Sequence, residues 1–147
     1  MQILSPYNQC LNDKQNVDKN ITELKRISRD YNIPVIAISS FNRTNYLNEV
    51  SFESFKESGS IEYSADVVIA LQLKIAGRQS WTDNKPTLNE KRKIINETKI
   101  KNPREIELVI LKNRMYKAWD KIDFNYYPQF DYFEEIDEVL IPISKNS

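Results

Sequence analysis

The sequence predicts an α/β layer fold with a parallel sheet, and this prediction depends on the order of its apolar segments. Residues Asn16 to Asn32 carry apolar side chains at helical spacing, with Lys and Arg on the opposite side. Pro34 ends this helix, and the apolar run Pro34 to Ser39 is typical of a buried parallel strand. A short helix at Ser60 to Ala65 then leads to a second such run, Asp66 to Leu73. Alternating helices and buried strands indicate a parallel sheet covered by helices.

The second half of the chain has a different character. Residues Gly77 to Pro103 contain more basic than acidic side chains and lack sustained periodicity, apart from a short helix around Leu88 to Thr98. We therefore expect a solvated and mobile excursion from the sheet. Residues Arg104 to Arg114 and Asp120 to Phe133 regain strand character, and the short link Met115–Trp119 predicts that they form an antiparallel pair.

Composition excludes several classes of site. The chain of 147 residues contains no His, which removes His-based acid–base chemistry and the commonest zinc ligand. Cys10 is the single cysteine, so an internal disulfide is impossible and a cytosolic setting is favoured. The 21 basic and 21 acidic side chains cancel, so a nucleic-acid surface would have to be a local patch. We expect neither a membrane span nor a signal peptide, because no sufficiently long apolar stretch is present.

The two glycines, Gly59 and Gly77, also exclude a nucleotide motif. A phosphate loop of the form G-x-x-x-x-G-K-[ST] needs two glycines close together, as does G-x-G-x-x-G, and these two are too far apart. If this chain handles nucleotide, it therefore does so without a phosphate loop of its own.

Polar residues at the ends of strands are the first candidate site. The run Ala37 to Arg43 ends in Ser, Asn and Arg, and ligands of open α/β sheets bind beyond the carboxyl ends of strands. A Ser/Asn-rich turn explains the same residues. Lys112 and Arg114 are two apart in a strand and project from one face, which suits an anion such as phosphate. On spacing alone, a solvated edge-strand face is the favoured explanation of this pair.

Three motifs resemble the C-terminal half of the RecA-like motor domain of DnaB-type replicative DNA helicases, particularly the phage and plasmid members. That family's S-Q-L-N-R appears here as Ser39 to Arg43, and its R-E-S-G-x-I-E-x-x-A-D appears as Lys56 to Asp66. Its late strand ending in K-x-R-N-G corresponds to Lys112 to Tyr116. The middle motif is the most specific, and the resemblance covers nearly the whole chain.

The resemblance implies a partial RecA-like (P-loop NTPase) α/β fold that lacks the phosphate-loop half. Parallel strands with helices would be followed by the C-terminal antiparallel strand pair. Residues 1–133 would form the motor portion, with 77–103 as a charged insertion and 134–147 as an acidic, frayed tail. The Asp that organises Mg²⁺ in the family would fall just before Met1, and the phosphate loop would lie earlier still.

The resemblance also implies a DNA contact around Gly59. In the family, the loop before the short helix touches the backbone of single-stranded DNA in a ring's central channel. Gly59 would allow a close approach of backbone N–H groups to phosphate, although an ordinary helix break would also explain it. Lys56 would supply a cation and Glu57 would fix the loop, and Arg43 is a further candidate DNA contact.

The catalytic roles implied by the family belong to the other two motifs. Lys112 and Arg114 would contact the γ-phosphate of a nucleotide held by a neighbouring subunit, with Arg114 as an arginine finger. Ser40 stands where the family has a Gln that senses this phosphate, so its shorter side chain reaches less far. Met115 and Tyr116 replace the usual Asn-Gly after the finger, which is a second departure.

Two hypotheses for function result. In the first, the chain is part of an ATP-dependent DNA helicase that unwinds duplex DNA as a hexameric ring on single-stranded DNA, in a bacterial or phage-encoded cytoplasmic setting. ATP and Mg²⁺ would then serve the intact protein. This chain would bind neither of them by itself, and it would supply no metal ligand. In the second, it is a stand-alone, non-catalytic half-domain that binds nucleic acid or a helicase subunit. Neither hypothesis involves a membrane.

Overall fold

In the parts of the chain that the structure describes, four strands form one antiparallel sheet in which strands consecutive in sequence are neighbours. Two α-helices precede the first strand, and a third lies between the first and second strands along the chain. The computed structural model describes residues 13–42, 46–55, 59–77 and 86–136. The elements in chain order are α1 (Asp13–Tyr31), α2 (Gly59–Ser64), β1 (Val67–Leu73), α3 (Leu88–Lys99), β2 (Arg104–Asn113), β3 (Asp120–Tyr127) and β4 (Tyr132–Glu135). Two 3-10 turns, Phe52–Ser54 and Lys74–Ala76, precede α2 and follow β1.

Helix α1 confirms the first predicted helix and ends in a defined cap. Val17 and Ile21 on its apolar face are buried, as the helical spacing predicts. At its end, Asn32 adopts a positive φ of 51°. The N–H of Asn32 donates to the carbonyl of Arg29, and the N–H of Ile33 donates to the carbonyl of Ser28. This is a Schellman arrangement, which satisfies the last carbonyls of the helix before Pro34.

The prediction of a buried parallel strand at Pro34 to Ser39 is wrong for this structure. The segment belongs to neither a helix nor a strand, and Ile36 and Ile38 are 93% and 82% exposed. An apolar run indicates that a segment suits burial, but pairing also requires a neighbouring strand. No strand among residues 13–42, 46–55, 59–77 and 86–136 pairs with it.

Strand β1 pairs with β2 in antiparallel fashion and lies at one edge of the sheet. The strand itself is confirmed, but the prediction that it is buried on both faces is wrong. Val68 and Ala70 are buried, whereas the alternate side chains Val67, Ile69 and Leu71 are about half exposed. This alternation is that of an antiparallel sheet with one covered face.

The predicted strand Asp120 to Phe133 is two strands joined by a turn. β3 pairs with β2, which confirms the predicted antiparallel pair, and β4 folds back onto β3. Pro128 has no N–H to donate to a sheet ladder, so the chain turns directly after Tyr127. Asp131 closes the turn with a φ of 50° and accepts a hydrogen bond from the Tyr126 hydroxyl at 2.9 Å.

The core lies on one face of β1 and β2, beneath α1 and α2. Ala70 and Val109 are cross-strand partners at its centre and are both almost fully buried. The rest of this cluster comes from both helices, both strands and the segment before α2: Val17, Ile21, Val50, Phe55, Ile61, Val68 and Leu111. Phe41 meets Phe55 edge to face at 5.2 Å and pairs with it in an isolated antiparallel bridge. This bridge holds the end of segment 33–42 against the core.

Helix α3 shows that part of the charged excursion is structural. The helix predicted around Leu88 to Thr98 is confirmed. Most of the described residues 86–103 are exposed, in keeping with a solvated segment, but Ile95 and Thr98 of the helix are buried. Thr87 and Glu90 form a capping box, in which the Glu90 carboxylate accepts the Thr87 N–H at 2.7 Å. Ile95 is only 1% exposed, and α3 contacts the 3-10 turn that follows β1. The apolar residue hidden in this charged segment anchors the helix.

Ile95→Ala is expected to lower the free energy of unfolding by about 2–5 kcal/mol, because it leaves a cavity at a fully buried position. Ile100→Ala is the matched control, since Ile100 lies just after α3 and is 83% exposed. Urea unfolding of both variants measures the difference. An equal loss of unfolding free energy in the two variants would mean that α3 does not pack as described.

Gly77 is required by a close approach rather than by an unusual φ. A Cβ at this position would lie 2.5 Å from Oε1 of Glu107 and 3.1 Å from the carbonyl oxygen of Lys74. Glu107 cannot easily move away, because it is buried and is held by Gln72 and Lys121. Gln72 in turn accepts a hydrogen bond from the N–H of Val50 at 2.7 Å. A side chain at Gly77 would therefore disturb a buried polar network.

Gly77→Ala is expected to lower the free energy of unfolding by about 1–3 kcal/mol, the usual range for an added methyl group in a filled site. Gly59→Ala is the control, because a Cβ there would meet no atom of the described residues within 4 Å, its neighbours and its own helix apart. Thermal or urea unfolding of the two variants makes the comparison. A neutral Gly77→Ala would show that the Glu107 network yields without cost.

Candidate functional site

The candidate site lies where β2 ends beside α2. Val109 and Leu111 of β2 are buried in the core, so they face α1 and α2. Side chains alternate along a strand, and strict alternation would direct Lys112 to the opposite face of the sheet. Lys112 instead points towards α2, which requires an irregularity in the strand.

A β-bulge supplies this irregularity. Ile69 pairs with Ile110, whereas the preceding Val68 pairs with Lys112, so Leu111 is the extra residue on β2. Because Val68 faces the core, its partner Lys112 turns to the same side of the sheet. The bulge thus redirects the end of β2 towards α2, a feature that spacing in the sequence does not indicate.

Lys112 and Arg114 both contact the last turn of α2. The Lys112 ammonium donates to the carbonyl oxygen of Glu62, and the Arg114 guanidinium lies 3.4 Å from the carbonyl oxygen of Tyr63. The final carbonyls of a helix carry partial negative charge and have no partner within the helix. The two cations therefore cap the C-terminal end of α2.

Asp66, between α2 and β1, is the anion of this cluster. Its Oδ1 is 2.8 Å from a guanidinium nitrogen of Arg114, and its Oδ2 accepts a hydrogen bond from the Lys25 ammonium of α1. These cations hold the pKa of Asp66 below its ordinary value, chiefly through the hydrogen bond from Lys25 and then through the charges of Lys25, Arg114 and Lys112. The cluster therefore keeps its carboxylate charged and retains an excess of positive charge.

The other predicted site residues are distributed unequally. Ser40 lies in the exposed segment 33–40, and the contacts of Lys112 and Arg114 are with α2 and Asp66 rather than with Ser40. Gly59 is the first residue of α2 and is exposed. Lys56, Glu57 and Arg43 lie outside the described residues, so their predicted roles remain predictions.

A separate open cavity of about 310 Å³ is lined by residues from all four strands, from α3 and from the segment before α2. Its lining is mostly apolar and includes Phe41, Val50, Leu71, Ile95, Ile106 and Phe133. None of the site residues predicted from the sequence lines it. The candidate site is therefore an exposed cationic surface rather than a cavity.

Neither a metal site nor a membrane segment is evident in the described parts of the chain. No group of three or more acidic or cysteine side chains there could hold a metal ion. No helix in these ranges combines the length and apolarity that crossing a membrane requires.

Comparison with known proteins identifies the family. The model of the DnaB-like helicase C-terminal domain matches residues 1–135, and the chain belongs to this family. A curated protein described as a probable replicative DNA helicase, from Trieres chinensis, is 36% identical over 63 residues. That alignment covers 41% of this chain and 14% of the relative. The resemblance inferred from the three motifs is thereby confirmed.

A structural comparison agrees on the fold. The solved structure of an ATPase domain matches with a TM-score of 0.66 at 19% identity, over 93% of this chain and 42% of that chain. At this identity the likeness concerns the fold alone, which is a partial RecA-like ATPase fold with helices and strands. The chain spans less than half of the length of each of these two proteins.

Sequence reasoning missed two members of the cluster. Asp66 ends the middle motif, so its position in that motif was a signal, but its partner could not be read from the sequence. Lys25 is one of several cations on α1, and only its packing distinguishes it from the others. The structure thus adds an anion and a third cation to the pair Lys112 and Arg114.

Proposed function

We propose that this chain is the C-terminal portion of the motor of an ATP-dependent replicative DNA helicase. In this proposal the intact protein forms a hexameric ring, hydrolyses ATP with Mg²⁺ and moves along single-stranded DNA in a bacterial or phage-encoded replication system. Family membership supports the helicase assignment. The observation that carries the role of this chain is the pair of cations at the redirected end of β2, half-buried Lys112 and exposed Arg114.

The proposed role of Arg114 is to complete the nucleotide site of a neighbouring subunit. Its side chain is 52% exposed, so the guanidinium remains accessible to a phosphate of another subunit. An Arg that meets the γ-phosphate of a neighbour stabilises the negative charge that develops during phosphoryl transfer. Lys112, which is anchored on α2, would add a second positive charge to the same phosphate. Ser40 is proposed to sense the phosphate only weakly, because its side chain is short.

The proposed DNA contact precedes α2. Gly59 is the first residue of this helix. Apart from its chain neighbours and its own helix, no atom of the described residues lies within 4 Å of the position that its Cβ would take, so we expect this part of the backbone to be accessible to a DNA phosphate. Lys56 and Arg43 would add positive charge, and Glu57 would help to fix the loop. These assignments are supported by the position of the residues in the family motif.

The alternative of a stand-alone binding module is not favoured. The family model and the two proteins compared are a helicase domain, a probable replicative helicase and an ATPase domain. None of them indicates a non-catalytic protein.

Arg114→Ala is expected to lower ATP hydrolysis by about 10³-fold or more, while nucleotide binding persists, because the finger acts in the transition state. The measurement is steady-state hydrolysis by the natural gene product that contains this chain, with nucleotide binding measured in parallel. Lys117→Ala is the matched control, since Lys117 is exposed nearby and its ion pair is a 3.8 Å contact with Asp120. Hydrolysis by Arg114→Ala close to that of the control would refute the finger role.

Mixed rings separate action across the subunit boundary from action within one subunit. Subunits with Arg114→Ala are mixed with subunits whose own nucleotide site has been disabled. If Arg114 acts on a neighbour, the mixture regains hydrolysis, because the disabled subunits still present an intact Arg114. A mixture as inactive as its two components would place Arg114 in the site of its own subunit.

Lys56→Ala is expected to weaken binding of single-stranded DNA and to reduce the salt dependence of the affinity by about one unit or less, since one phosphate contact is lost. Fluorescence anisotropy of a labelled oligonucleotide over a series of salt concentrations measures both quantities. Lys93→Ala on α3 is the control, because Lys93 is exposed and lies on a different element. The same slope in Lys56→Ala and the control would remove Lys56 from the DNA path.

A further inference from the structure

Arg114 is held at two points by the same residue. The N–H of Arg114 donates to the carbonyl oxygen of Asp66 at 2.9 Å, and its guanidinium lies 2.8 Å from the carboxylate of Asp66. The first contact fixes where the side chain begins, and the second fixes where its charged end lies. An Arg side chain otherwise has many rotamers, and restricting them before reaction removes an entropic cost.

We propose that Asp66 is the positioning residue of Arg114, and that Lys25 assists by binding the second oxygen of the same carboxylate. This inference rests on the proposed role of Arg114 in ATP hydrolysis. It adds two residues, from α1 and from the α2–β1 junction, to the machinery of the finger. Asp66 acts through Arg114 and does not itself contact the nucleotide.

The charge balance of the cluster favours positioning over sequestration. Asp66 is one carboxylate, and Lys25, Lys112 and Arg114 surround it with three positive charges. Lys25 contacts Oδ2 of Asp66, and the contact of Arg114 is with Oδ1 through one guanidinium nitrogen. The guanidinium therefore keeps N–H donors and unbalanced positive charge, both of which a phosphate requires.

The arrangement has a kinetic signature. A positioning residue of a finger that acts in the transition state changes the turnover number and leaves the KM for ATP nearly constant. A residue that only stabilises the fold has no reason to act through Arg114. The coupling between Asp66 and Arg114 therefore distinguishes the two roles.

The experiment uses Asp66→Asn in the natural gene product that contains this chain. Asn keeps the size of Asp and its backbone carbonyl but removes the charge that orients the guanidinium. We expect kcat to fall about three- to tenfold, since the pair is half exposed, while the KM for ATP stays within about twofold. Asp66→Glu, which keeps the charge, should recover most of the loss. Asp30→Asn, at an exposed ion-paired carboxylate on α1, is the control and should match the unmodified protein.

Combined variants provide the decisive comparison. In an Arg114→Ala background, Asp66→Asn should cause no further fall in single-turnover hydrolysis, because the residue that it positions is absent. Asp66→Ser is a second variant that removes the carboxylate and should reproduce the pattern, should Asp66→Asn fail to fold. An unchanged or raised kcat in the folded single variants would overturn the inference. So would a loss of hydrolysis on adding Asp66→Asn to Arg114→Ala that is as large as the loss Asp66→Asn causes alone. Full hydrolysis by Arg114→Ala itself would instead refute the proposed function, and the inference with it.

Discussion

The antiparallel pairing of β1 with β2 is the interaction on which the rest of the structure depends. It places Ala70 opposite Val109 and so creates the surface onto which α1 and α2 pack. It also brings the α2–β1 junction, which contains Asp66, next to the end of β2, which leads to Arg114. The bulge within this pairing then selects the face on which Lys112 lies. A single ladder thus determines both the core and the composition of the candidate site.

Local patterns in the sequence predicted the helices and strands well. They predicted less well which strands pair over long distances in the sequence. Helix α1, the short helix, β1 and the antiparallel pair of β2 and β3 follow from periodicity, turns and caps, which are properties of neighbouring residues. The described sheet does not contain the parallel partner that was expected for β1. That prediction failed because an apolar run does not identify the strand with which it pairs. The charge of the excursion concealed the packing of α3, whose buried residues are Ile95 and Thr98.

The candidate site was predictable to a similar degree. The three motifs led to Lys112 and Arg114, because their order and spacing match a family that the chain is now shown to belong to. Lys25 could not be found this way, since its contact with Asp66 joins residues 41 apart in the sequence. The direction of the Lys112 side chain depends on the β-bulge, and no turn residue or glycine in the sequence indicates that bulge. Sequence motifs therefore located the candidate cations, whereas the fold supplied their partners.

The long sequence separation of these partners has a consequence for folding. Lys112 and Glu62 are 50 residues apart, and Arg114 and Tyr63 are 51 apart, so neither contact can form from local structure. Helix α3, with its capping box, needs only neighbouring residues, whereas β1 and β2 must close the whole intervening segment before they pair. Contacts of such separation are slow to form. The contacts of Lys112 and Arg114 with α2 and Asp66 therefore depend on the same long-range closure as the β1–β2 ladder, and a variant that prevents this pairing is expected to lose these contacts together with the core.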